Sequence, residues 1–250
     1  MEKQDHLWPN GPVFTFSEKA FPPSTDSFLL GSFPRLRKND RVCDLGAGMG
    51  LLGLLLWARE PSVKLTAVEL QPDACDLCRR NYLDNGIDGT VLQGDLRDRT
   101  GLPKAGSCDL VICNPPYFTP NSGFTAEGTR GQARSELTAD LDDICAAAAW
   151  LLPTGGRFAL VYRAERLPEL LETAKRYLLE PKRLQLVQND LTNMPRMFLL
   201  ECKKGANPGL QVEPVFLENI RGMETRAMRD AYFTDRIDER KSQSFLGRII

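Results

Sequence analysis

From residue 41 onward, the apolar and polar positions repeat one unit: a short apolar run, a turn rich in glycine or proline, then a longer stretch with a helical period. Strands are predicted at Arg41–Leu45, Lys64–Leu70, Thr90–Gln93, Cys108–Cys113, Arg157–Tyr162, Arg183–Gln188 and Met197–Cys202. Near-continuous apolar runs of this length, bounded by turn signals, mark strands buried on both faces. The helical stretches are Leu51–Arg59, Pro72–Asp84, Leu137–Leu152 and Glu165–Leu179. Pro72 suits a first helical turn, and Asn85-Gly86 stops the helix it opens. Strict alternation of strand and helix implies an α/β fold, a doubly wound parallel sheet with right-handed crossovers. Residues 1–30 look irregular up to Ser24–Leu30, a short helix capped by Thr25 or Asp26 with Phe28, Leu29 and Leu30 on its apolar face. Phe118–Gln132 reads as a polar loop that is mobile without ligand, and Phe233–Ile250 as a tail or docking helix. Residues 1–40 are thus expected to form an N-terminal cap segment, 41–205 the main domain and 206–250 a C-terminal extension.

Composition narrows the chemistry. No apolar run approaches the roughly 18–20 residues that span a bilayer. The polar start, Met1–His6, lacks a signal peptide's apolar core, so a cytoplasmic protein is expected. Seven cysteines are scattered through strands and helices, as reduced thiols would be, and Cys75-x-x-Cys78 has no second pair with which to hold zinc. The single histidine, His6, leaves almost no room for imidazole catalysis. Net charge is −1, which gives no global basic field. Residues 151–210, however, hold ten Lys/Arg against six Asp/Glu. Most of these read as solvated helix faces.

One loop stands apart. Asn114-Pro115-Pro116-Tyr117 follows the strand Cys108–Cys113, and two prolines cannot continue a strand ladder. The result is a stiff loop at a strand's carboxyl end, where open α/β sheets place ligands. The Asn114 side-chain oxygen and a proline carbonyl can accept both protons of a planar –NH2 group, while Tyr117 stacks on its ring. The plain alternative, a proline-rich turn after a buried strand, is equally open for the tetrapeptide alone.

The glycines upstream fit two patterns. Gly48-x-Gly50-x-x-Gly53 matches a dinucleotide turn; Asp44-x-Gly46-x-Gly48-x-Gly50 matches an S-adenosylmethionine turn. Charge separates them. Asp44 would repel a pyrophosphate but suits a cationic ammonium or the sulfonium region. Glu69, at the end of the second strand, is placed to accept ribose hydroxyls, and Asp95, at the end of the third, the adenine amino group. Each acid alone could be a helix cap or a solvated loop residue. Together, at three successive strand ends beside the proline loop, they form one constellation.

These residues carry a resemblance. Asp44–Gly50, Glu69, Asp95 and Asn114–Tyr117 resemble the class I S-adenosylmethionine-dependent methyltransferases that modify planar amino groups. Thr25–Leu30, Tyr117-Phe118, Ala133–Leu137 and Gly155–Arg163 extend it, over roughly residues 7–205, to the bacterial enzymes that methylate N6 of the adenine just 3′ of the anticodon in a valine tRNA. The resemblance implies a Rossmann-like seven-stranded sheet with its last strand antiparallel. It implies S-adenosyl-L-methionine held by Asp26, Asp44, Gly46, Gly48, Gly50, Glu69, Leu70, Asp95, Leu96 and Asn114. It also implies catalysis by Asn114, Pro115 and Tyr117 on a flipped adenine of tRNA, with Pro116, Phe118, Arg134 and Arg163 on the substrate. Arg166, Lys182, Arg183 and Arg196 are further candidates for phosphate contacts. The sequence departs from the family at Thr119–Gly123, where a tight glycine-rich turn is usual, and after about Gly205. Three other readings compete. Protein glutamine methylation uses the same tetrapeptide, but usually behind an N-terminal helical domain. Guanine-N2 methylation tends to pair the motif with Phe. A binding module without activity is opposed by the intact Asp44, Glu69, Asp95 and Asn114.

Overall fold

The computed structural model describes residues 2–17, 24–115 and 139–232. Its central sheet contains β3 (Arg41–Leu45), β4 (Lys64–Glu69), β5 (Thr90–Gln93), β6 (Leu110–Cys113), β7 (Arg157–Arg163), β8 (Leu179–Gln188) and β9 (Met197–Lys204). They lie in the order β5-β4-β3-β6-β7-β9-β8. Pairing is parallel from β5 to β7, and β9 runs antiparallel to both β7 and β8. This is the expected seven-stranded sheet. Two short strands, β10 (Gln211–Val212) and β11 (Phe216–Leu217), extend it beyond β8 in parallel register. They come from the extension, for which the sequence offered no pattern.

Successive residues of the central strands serve opposite faces, as a two-residue period requires. On β6, Leu110 and Ile112 join the core beneath α1 (Thr25–Ser32), α2 (Leu51–Arg59) and α3 (Pro72–Asp84). Val111 and Cys113 join the core beneath α4 (Leu141–Leu151) and α5 (Leu167–Arg176). The seven cysteines are all buried free thiols.

Element boundaries shift where local chemistry outweighs the apolar pattern. α4 begins four residues after the predicted Leu137, because Asp140 and Asp143 form a reciprocal capping box. α5 is shorter than predicted. Leu178 adopts φ 59°, which ends the helical path and lets β8 start at Leu179 rather than Arg183.

Residues 2–17 are not irregular. β1 (Glu2–His6) and β2 (Val13–Ser17) form an antiparallel hairpin. Two asparagines one turn apart, Asn81 on α3 and Asn85 just after its end, replace a neighbouring strand: Asn81 accepts from Thr15 N at 2.7 Å and donates to Thr15 O at 2.9 Å. Asn85 accepts from Val13 N at 2.8 Å and donates to Val13 O at 2.7 Å. The fully buried Asn81 also donates to Met49 O at 2.8 Å, which ties the hairpin to the glycine turn.

Candidate active site

Chain order reverses at β3: β4 and β5 lie on one side and β6 on the other. Loops leaving β3 and β6 therefore diverge and open a crevice at their carboxyl ends. The glycine turn leaves β3, and Asn114-Pro115 leaves β6.

The turn is locked to β4, because Gly46 N and Ala47 N both donate to Val68 O, at 2.9 and 3.1 Å. Gly46, Gly48 and Gly50 have φ of 71°, 53° and 84°, the left-handed region where a side chain is strained. A Cβ at Gly46 or Gly48 would meet nothing within 4 Å, so both backbones face open space. Gly50 and Gly53 serve packing instead. A Cβ on Gly53 would overlap the Tyr82 hydroxyl of α3, so the third glycine of the dinucleotide pattern follows from α2–α3 contact. Gly53→Ala is expected to lower stability by about 1–3 kcal/mol through overpacking, read as a drop in Tm.

Asp44 is 1% exposed, and neither of its carboxylate oxygens has a hydrogen-bond partner among the described residues. Burial, then the nearby Glu69 charge, pushes its pKa up to about 8. An orphaned acid beside an open glycine turn fits a cationic group. Glu69, also buried, accepts from Gly48 N at 2.8 Å and Gln71 N at 2.9 Å, so it braces the turn from β4 and keeps acceptor capacity for hydroxyls. Leu70 follows it, half-buried.

Asp95 follows β5 as expected, but both its oxygens receive the Arg97 guanidinium, with Arg97 Nη2 at 2.6 Å, and this contact lowers its pKa. An adenine amino group would share this carboxylate with Arg97. Leu96 is half-buried against the second core. Asp26 is 13% exposed and its carboxylate is engaged by Arg196 at 3.3 Å. Asn114 is half-buried, and its Nδ2 donates to Ser27 Oγ of α1 at 3.0 Å. The sequence did not single out Ser27, because a serine in a helix's first turn reads as part of a cap.

Pro116, Tyr117, Phe118 and Arg134 lie outside the described residues, as does the loop Phe118–Gln132. Arg163 ends β7, exposed. Other basic candidates are held within the protein: Arg166 on Glu169, Arg183 on Glu213 at 3.0 Å, Lys182 on Asn207 O at 3.2 Å, and Arg196 between Asp26 and Glu218. Their acidic partners lie mostly outside the window in which the sequence shows a basic excess. A cavity of about 500 Å³ lies elsewhere, among Arg99, Trp150, Tyr177 and Lys204. Its cations are engaged: Arg99 covers the Trp150 ring, and Lys204 Nζ donates to Ala149 O and Leu152 O.

A sheet wound in this order, with a buried, unpartnered acid two residues before a glycine turn at the switch point, defines the class I methyltransferases. Residues 12–174 match the family model described as methyltransferase small domain. The chain belongs to that family and is an S-adenosyl-L-methionine-dependent methyltransferase. A relative from Shewanella amazonensis, named tRNA1(Val) (adenine(37)-N6)-methyltransferase, is 31% identical over 87% of this chain and 98% of its own length. A protein of the same name from Porphyromonas gingivalis is 30% identical over 72% of this chain and 73% of its own. Both bear out the resemblance read from the sequence. Among solved structures, a predicted O-methyltransferase from Agrobacterium tumefaciens superposes with a TM-score of 0.69 at 20% identity, over 84% of this chain and 96% of that one. TrmN from Thermus thermophilus gives 0.53 at 21% identity, over 71% and 48%. These two show the fold alone.

Proposed function

We propose that this methyltransferase acts in the cytoplasm on tRNA and methylates the exocyclic N6 of an unpaired or flipped adenine. The adenine beside the anticodon of a valine tRNA is the first candidate, because the relatives are named for it. The observation that supports the reading is Asn114, bonded to Ser27 just beyond the carboxyl end of β6 and followed by a proline that stiffens its loop.

An aromatic amine is a poor nucleophile because its lone pair is delocalised into the ring. In this reading Asn114 and the Pro115 carbonyl accept its two N–H protons, draw the nitrogen towards tetrahedral geometry and free the lone pair. Bound S-adenosyl-L-methionine supplies the electrophilic methyl group. Asp44 would hold its cationic end and Glu69 its ribose, and the open backbones of Gly46 and Gly48 would leave room for it. Tyr117 holds the base plane by stacking, worth about 1–3 kcal/mol. No base acts before transfer, and the proton is lost afterwards to water. A duplex hides the amino group, so the adenine must be presented unstacked.

The test is methylation with labelled cofactor of an unmodified valine tRNA transcript, of the same transcript with that adenine replaced by guanine, and of release factors. N6-methyladenosine in the first alone is the expected result. Label in a release factor, or equal label in both transcripts, would overturn the assignment.

A further inference from the structure

α1, which carries Ser27, is poorly equipped to hold its own position. It is eight residues long, contains Gly31, and its N-cap residue Ser24 makes no side-chain capping bond. So short a helix is marginal by itself, and tertiary contacts must place it. Its first turn is gripped from the far end of the chain. Tyr232 stacks on Phe28 with ring centroids 4.3 Å apart and planes 8° from parallel, and its hydroxyl donates to Thr25 Oγ1 at 3.0 Å. Asp26 binds Arg196, whose Nη2 reaches Glu218 Oε1 at 2.5 Å.

The gripping segment is itself anchored. Glu218 is buried and follows β11, and Thr225 Oγ1 donates to Leu217 O while accepting from Met228 N. That bond caps α6 (Arg226–Ala231), whose Met228 and Ala231 enter the same core as Phe28.

We propose that residues 206–232 are a positioning element of the methyl-transfer site: they fix the first turn of α1, and α1 fixes the Asn114 amide through Ser27. Ser27, Arg196, Glu218 and Tyr232 are positioning residues in this scheme, which act through Asn114 rather than on the reacting atoms. This rests on the role given to Asn114 above, and it assigns the extension to catalysis rather than to a separate domain. Loosening the brace leaves the crevice intact and lets the amide oxygen wander from the N–H it must meet, so turnover falls while cofactor affinity holds.

Two measurements on the full chain test it. In the first, Tyr232→Phe and Glu218→Gln each lower kcat about 3–10-fold and Ser27→Ala about 10–30-fold, with cofactor Kd within about twofold. The double variant Ser27→Ala/Glu218→Gln is no slower than Ser27→Ala alone, because both act through one bond. Multiplying effects would overturn the relay. The second needs no substrate: the 15N side-chain amide signal of Asn114, assigned by its loss in Asn114→Ala. Its protons exchange slowly in the native protein, lose protection in Ser27→Ala, and shift in Tyr232→Phe and Glu218→Gln. A signal moved by Ser27→Ala but not by the two brace variants would sink the proposal whatever the substrate. A signal moved by all three in a protein that does not methylate adenine would support the brace and refute the substrate reading instead.

Discussion

Replacing Asn114 by alanine is expected to lower kcat about 10²–10³-fold while leaving the Kd of S-adenosyl-L-methionine within about twofold. The substitution removes one of two acceptors that must grip the amine and leaves the Asp44–Glu69 side of the crevice untouched. It also cuts the bond to Ser27, so α1 loses its contact with the reacting loop. Asn114→Asp keeps an acceptor at the same place and is expected to retain more activity than the alanine variant. Single-turnover methylation and calorimetric titration of the cofactor separate the two effects. A large loss of cofactor affinity with normal turnover would show that Asn114 holds the donor rather than the acceptor.

Asp44 is expected to couple cofactor binding to pH. Its carboxyl titrates at about 8 when folded, against 3.8 as an ordinary aspartate, because burial removes the water that would stabilise the charge. The free protein therefore holds a proton on Asp44 at neutral pH that the unfolded chain has released. Stability falls with rising pH wherever the folded state binds more protons. The Tm of the free protein should thus decline from about pH 4 to about pH 8, and Asp44→Asn should flatten that decline. A cation beside Asp44 favours the ionised form, so binding expels the proton. Affinity for S-adenosyl-L-methionine should rise by up to about tenfold per pH unit between about pH 6 and pH 7.5. Calorimetry in buffers of different ionisation heat should report release approaching one proton. In Asp44→Asn the release should vanish and affinity should fall about 30-fold or more. Affinity that does not change with pH, or that survives the substitution, would remove Asp44 from the cofactor's cationic end.

β3, β4, β6 and β7 were legible because a parallel sheet buries both faces, and a short apolar run between turns suits little else in a chain of this kind. β1 was not: all five of its residues are exposed, and β2 is held by the Asn81 and Asn85 side chains rather than by a sheet neighbour on that side. Nothing in residues 1–17 announces a partner some 66–72 positions away. The grouping of the candidate acids was legible for a different reason. In a doubly wound sheet the strand ends converge, so Asp44, Glu69 and Asp95 could be gathered from their positions in the strand count. What each acid does there could not. Arg97 lies two residues from Asp95 and takes its carboxylate, while no described residue bonds the carboxylate of Asp44.

The alternation of residues thus determined the sheet, its switch point and the strand ends at which the three acids sit, since these follow from local periodicity and strand count. Only the tertiary structure decided which charges remain available. Asp26 is engaged by Arg196, Arg183 by Glu213 and Arg196 by Glu218, whereas Asp44 has no partner among the described residues. Pairing depends on distances across the fold, which residue spacing along the chain does not encode. The same holds for Ser27, whose hydroxyl meets Asn114 from 87 residues away.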